Sequence, residues 1–144
     1  MKVFKLTTNG SATETGKIMR AVVEKYYTDM APYASFSLIE MFDKIKNLPY
    51  RPDPVNVETL MRPRYTMEMR GYGGDCDCKA VALASYAKLN SIPYRFIAIR
   101  RPGKKNLHHV ALELYVSNRW LYCDPTYRFN VIGRTREEAE RMVL

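Results

Sequence analysis

The chain contains no glutamine, only two histidines, one tryptophan and three cysteines, and no apolar run approaches the roughly 18 residues of a membrane span. Each scarcity excludes something. Three cysteines, two of them one residue apart, do not make the disulfide framework of a small secreted domain. The opening MKVFKLTTNG lacks the apolar stretch of about 7–15 residues that a secretory signal carries. A soluble protein of the reducing cytoplasm, with no membrane partner, is therefore expected. The two histidines are adjacent, His108 and His109, so any imidazole chemistry is confined to one point of the chain.

What is present is ordinary. Of 144 residues, 47% are apolar and 26% charged, enough for one buried core, and a single domain spanning 1–144 is expected. Formal charge is +8, from 23 Lys and Arg against 15 Asp and Glu. Such an excess attracts acidic partners, nucleic acid among them. The basic residues are scattered, however, and the cluster Arg100-Arg101-Pro102-Gly103-Lys104-Lys105 reads as a solvated loop, so nucleic acid is not the favoured partner.

Ser11 to Glu14 has capping-box spacing, and Ile18, Met19, Val22, Val23, Tyr26 and Met30 follow at helical intervals, predicting a helix over about 13–28. A second helix is expected over about 34–47, with Leu38, Met41, Phe42 and Ile45 on one face. Prolines 49, 52, 54 and 63 then break regular structure and predict an extended loop, a candidate cleft wall. Cys76 to Leu89 has neither Gly nor Pro and is apolar nearly all round, the signature of a central buried helix. Three strands follow, at 92–100, 107–116 and 119–124, the last two joined by the turn Ser117-Asn118. Thr135 to Glu138 repeats the capping-box spacing and predicts a short C-terminal helix. Helices first and a meander last give an α+β fold with an antiparallel sheet.

The chemistry gathers at GYGGDCDCKA, residues 71–80. Residues two apart on a helix project about 200° from each other, so Cys76 and Cys78 do not converge on a metal ion or bridge to each other. Neither a metal nor a cofactor is expected. Cys76 lies in the first turn of the buried helix, where free N–H groups and the helix dipole favour a thiolate. Cys78 and Cys123 read as small buried hydrophobes. Asp75 and Asp77 oppose ionisation of Cys76, which calls for a positive partner.

A two-residue turn at Ser117-Asn118 pairs Val116 with Arg119, Tyr115 with Trp120, Glu113 with Tyr122 and Ala111 with Asp124. His109 then shares a face with Asp124, diagonally across the small Ala111, while His108 falls on the opposite face. A thiol on a helix, an imidazole on a strand and a carboxylate on the next strand compose the Cys-His-acid logic of nucleophilic catalysis. Against this stands a buried cysteine beside a structural His–Asp pair.

With these three residues in view, the sequence resembles the transglutaminase-like branch of the papain-type cysteine proteases, compact bacterial and phage members above all. Gly74-Asp75-Cys76-Asp77 is similar to the family's nucleophile motif, HVALELYVSNRW from His109 to its histidine strand and hairpin, and Cys123-Asp124-Pro125-Thr126 to its Asp-Pro-Thr ending. The resemblance implies a papain-like core with the cysteine helix packed on an antiparallel sheet, Cys76 as nucleophile, His109 as general base and acid, and Asp124 orienting the imidazole. Two departures stand out. Cys78 occupies a position that more often holds an acid, and without glutamine the oxyanion hole needs the Cys76 N–H and a second donor, sought in a Tyr, an Asn or a backbone group of segment 64–74. The expected activity is hydrolysis of a peptide or amide bond in a peptide or protein substrate. A transglutaminase, which passes the acyl group to an amine, and a catalytically silent binding or assembly module are the alternatives.

Overall fold

The computed structural model describes residues 3–6, 12–52, 58–68 and 73–144. In chain order its elements are β1 (Val3–Leu6), α1 (Ala12–Tyr26), a 3-10 segment (Tyr27–Tyr33), α2 (Leu38–Lys46), β2 (Glu58–Met61), α3 (Pro63–Glu68), α4 (Cys76–Leu89), β3 (Tyr94–Arg100), β4 (His109–Val116), β5 (Arg119–Cys123) and β6 (Glu140–Val143). Helix α4 is the axis: Val81, Ala82, Leu83, Ala84 and Ala87 are wholly buried. A helix apolar on every side needs cover on every side. The other helices and the 3-10 segment cover one flank and β4 the other.

The strands form a four-stranded antiparallel sheet in the order β5-β4-β3-β6. Its inner face, with Phe96, Val110, Leu112, Leu114 and Cys123, joins the α4 core. Its outer face holds a smaller cluster of Ile97, Ile99, Ala111 and Tyr122. The expected α+β core, with a central helix on an antiparallel sheet, is therefore present. Among the described residues no helix is long and apolar enough to cross a membrane.

The hairpin register is the one that the turn predicts: Val116 faces Arg119, Tyr115 faces Trp120 and Glu113 faces Tyr122. Ser117 and Asn118 both have positive φ, 54° and 64°. Positive φ at both central positions matches the twist of the flanking strands and leaves no freedom for a third loop residue. Every side chain of β5 is thereby assigned to a face.

Several boundaries move. The first helix ends at Tyr26 and continues as the 3-10 segment through Pro32. The second begins at Leu38, where Ser37 and Glu40 form a reciprocal capping box; the box expected at Ser11 lies outside the described residues. The proline-rich stretch is not a loop throughout, since β2 pairs antiparallel with β1 and Pro63 opens α3. Proline suits the first turn of a helix because its missing N–H would have no intrahelical partner there.

The C-terminal helix is a misreading: residues 140–143 form β6, paired with β3 from Ile97–Val143 to Arg100–Glu140. A helix of so few residues has little stability of its own, whereas β3 presents an open row of backbone groups. Ala139 N–H donates to the Arg100 carbonyl at 2.8 Å and Leu144 N–H to that of Phe96 at 2.9 Å. Arg141 adds contacts to Glu138 and to Glu113 of β4.

Candidate active site

The two glycines before the cysteines set the approach to α4. Gly73 has φ +58°, and a Cβ there would overlap the Pro49 carbonyl oxygen; one on Gly74 would lie 2.5 Å from Cys78 Cβ. Only glycine lets the chain run so close to both. Gly74 N–H donates to Pro49 O at 3.2 Å and Arg51 N–H to Gly74 O at 3.0 Å, a parallel bridge that sets Tyr50 beside Gly74. Asp75 then caps α4, its Oδ1 accepting the Cys78 N–H at 3.2 Å.

Cys76 is the first residue of α4 and is partly exposed, whereas Cys78 and Cys123 are buried. The backbone N–H of Val110 lies near its Sγ and favours the thiolate, and its thiol donates to Asp77 Oδ1 at 3.4 Å. Burial, followed by the charges of Asp77 and Asp75, raises the Cys76 pKa well above that of an ordinary thiol. The direction runs against the thiolate favoured by a helix N-terminus and with the opposition expected from Asp75 and Asp77. The acidic cap occupies the helix N-terminus, and its negative charge opposes the dipole that was to stabilise the sulfur.

His109 opens β4 and is buried; its Nε2 lies 2.7 Å from Asp124 Oδ2. Asp124 follows β5 and is 2% exposed, with Oδ1 accepting the Thr126 N–H at 3.1 Å and its carbonyl accepting from Asn130 Nδ2 at 3.0 Å. Burial works to raise the Asp124 pKa, but the bond and charge of His109, aided by Thr126, outweigh it and hold the carboxyl below its usual range. With Nε2 turned to this carboxylate, Nδ1 is left for a reacting group.

His109 and Asp124 sit on the outer face of the sheet, whereas α4 lies under the inner face. The sheet's end reconciles the two, because β4 runs on past its last pair with β5, Leu112 with Cys123. There the Val110 N–H lies near Cys76, one residue from the imidazole. His108 is exposed and points elsewhere, its Nε2 3.4 Å from Arg101 Nη1.

Three further residues frame this centre, and sequence reasoning missed them. The Tyr127 ring stacks on His109, with centroids 5.7 Å apart and planes 23° apart, and its hydroxyl accepts from Arg101 Nη2 at 2.8 Å. Tyr50 is exposed, and partial burial, with the nearby acidic groups Asp75 and Asp77, pushes its phenol pKa up to about 12. Lys79 is 1% exposed, and its Nζ donates to the carbonyls of Leu48, at 2.7 Å, and of Lys46 and Thr126, both at 3.3 Å. Only Lys79 left a signal, as a charge set between Cys78 and the apolar run Ala80–Ala84 of the buried helix. Of the segment expected to hold the second oxyanion donor, residues 69–72 lie outside the described residues. Among the described residues no group of three or more His, Cys, Asp or Glu is placed to hold a metal ion.

Residues 16–125 match the Transglutaminase-like superfamily. No curated protein matches the sequence. The fold is similar to the solved structure of a "putative cysteine protease" from Cytophaga hutchinsonii, at 14% identity and a TM-score of 0.49, over 94% of this chain and 52% of that one. The chain thus spans about half the length of that protein.

Proposed function

The chain belongs to the transglutaminase-like superfamily, and we propose that it is a cysteine-dependent acyl-transfer enzyme that hydrolyses a peptide or amide bond. The observation that carries this reading is the buried 2.7 Å His109–Asp124 pair one residue from the Val110 N–H that lies near Cys76 Sγ. A buried imidazole with one nitrogen on a carboxylate and the other free is arranged to accept and return protons.

His109 Nδ1 takes the Cys76 proton as Sγ attacks the substrate carbonyl carbon. The sulfur–carbon bond forms and the carbonyl oxygen becomes an oxyanion, received by the Cys76 N–H. Tyr50 is the candidate for the second donor, since the bridge to Gly74 holds its backbone near Cys76 and a phenol is protonated at neutral pH. Collapse breaks the carbon–nitrogen bond while the imidazolium protonates the leaving amine. Water, deprotonated by His109, then attacks the thioester, releasing the acid and restoring the thiol. Asp124 orients the ring and stabilises its charged form throughout.

A second reading, a catalytically silent binding or assembly module, draws on the raised Cys76 pKa and the bond from its thiol to Asp77. Reaction with p-nitrophenyl acetate separates the two. An enzyme forms an acetyl adduct on Cys76, seen by mass spectrometry, and turns it over with repeated release of nitrophenol. In His109→Ala neither step proceeds above background. A wild-type protein with no more acylation of Cys76 than of the denatured chain would refute the enzymatic reading.

A further inference from the structure

Next to Tyr127, which stacks on His109, lies a cavity of about 390 Å³ of whose lining the hydrolytic mechanism uses only Tyr50. Its walls include Tyr50, Tyr127 and Phe129, and its charged lining is Lys46, Lys79 and Arg128; no carboxylate is among its described lining residues. The cavity adjoins the reacting centre through Tyr127, whose ring stacks on His109 on one side and on Phe129, 5.2 Å away, on the other.

We propose, building on the hydrolase reading, that this cavity is the subsite for an acidic side chain of the peptide substrate, with Arg128 as its anion anchor. The three cations are not equivalent. Lys46 is partly neutralised by Asp43 at 3.2 Å and donates to Asn130 O at 2.9 Å. Lys79 points its protons at three backbone carbonyls. Arg128 is exposed and has no ion-pair or hydrogen-bond partner among the described residues. Its guanidinium is free to grip a carboxylate with two parallel bonds. The aromatic walls suit the aliphatic stem behind a glutamate, and the cavity is large enough to take a side chain with part of its neighbour.

The acidic residues near Cys76 sharpen the choice of occupant. Asp75, Asp77 and Asp124 flank the sulfur and the imidazole, so an acidic side chain finds a more favourable field in the cavity than beside them, and a basic one finds like charge in the cavity.

The test uses the Cys76→Ala protein and three acetylated pentapeptide amides, alanine throughout except for a central glutamate, glutamine or lysine. Amide chemical shifts are followed on titration with each. The glutamate peptide is expected to shift the amides of residues 46–48, 50 and 126–129 and to bind about tenfold more tightly than the glutamine peptide. Arg128→Gln should abolish that preference, and Arg119→Gln, on the far hairpin, should keep it. Equal affinities, shifts confined to other residues, or no saturable shift with any peptide would overturn the subsite. Wild-type protein is given the same peptides. If the glutamate peptide binds at these residues and none is cleaved, the subsite stands and the hydrolase reading falls. Cleavage of all three at one rate supports a hydrolase and refutes the acidic subsite.

Discussion

His108 and His109 are the same residue type one position apart, and the entry into β4 between them gives them opposite surroundings. His109 is buried against Asp124 and His108 is exposed beside Arg101. Under the proposed mechanism, His109→Ala should lower acyl transfer by about 10²–10⁴-fold, as expected for loss of a general base. His108→Ala should leave the rate within about twofold, since a surface side chain outside the proton path is removed. Asp124→Asn should also slow the reaction severely, because an amide cannot stabilise the imidazolium and presents the wrong partner to Nε2. Steady-state rates, with thermal transitions as the control for folding, decide all three. A His108→Ala protein that is inactive while His109→Ala is active would remove His109 from its role. The sulfur itself makes a pH prediction. With burial, Asp77 and Asp75 all raising its pKa above the ordinary thiol value, only a small thiolate fraction exists at neutral pH and it grows as protons are withdrawn. Iodoacetamide labelling of Cys76 should keep rising through pH 9, yet exceed that of the buried Cys78 and Cys123 at every pH. A plateau below pH 8 would mean that a cation holds the thiolate after all.

At the scale of elements, β6 shows what a local motif leaves undecided. Thr135 to Glu138 has the spacing of a helix start, but the β3 edge offers backbone partners that a short helix cannot match. Antiparallel bonds alternate, and because Leu144 N–H is bonded to Phe96 O, the Met142 N–H points at Ala98, its partner in the register. Met142→Pro should therefore cost about 1–3 kcal/mol through a lost ladder bond and an orphaned carbonyl. Val143→Pro, at a position turned away from β3, should cost less. Chemical denaturation of the two variants makes the comparison; equal losses would show that β6 contributes no ladder. The hairpin behaves differently, since a two-residue turn with positive φ at both positions permits one register, and the sequence pattern alone suffices to find it.

For the whole molecule, Lys79 is the tie between halves. From the middle of the core it reaches the end of α2 and the loop after Asp124. That makes it a positioning residue for the carboxylate. Lys79→Met keeps the volume and removes a buried charge, yet should destabilise by about 1–3 kcal/mol because three carbonyls lose their donor. Burial, with repulsion from Arg128, lowers its pKa from 10.5 to about 8 against the attraction of Asp124. Between those values the unfolded chain binds more protons than the folded one, so this contribution to stability rises with pH. The stability of wild type relative to Lys79→Met should accordingly increase from pH 8 to pH 10, measured by denaturant titration. A difference independent of pH would mean that the lysine ionises as freely folded as unfolded. We propose that 1–144 forms one domain, for which a single cooperative transition in the same titrations is the expected signature.

Periodicity and turn chemistry in the sequence were sufficient for the central helix, the antiparallel hairpin and the face shared by His109 and Asp124, because each depends on neighbours a few residues apart or on a register locked by two residues. The opposition of Asp75 and Asp77 to a Cys76 thiolate was legible in the sequence, but the larger contribution of burial was not, since it follows from how the sulfur is packed. Nor were Tyr50, Tyr127 and Lys79 as parts of the site. Tyr50 stands beside Gly74 through a backbone bridge spanning 24 residues, and Lys79 meets carbonyls 31 to 47 residues away. Contacts of that range are chosen by how the layers pack, and no local pattern in the chain encodes them. The same holds for β6, whose conformation was decided by a vacant edge that exists only once β3 is in place.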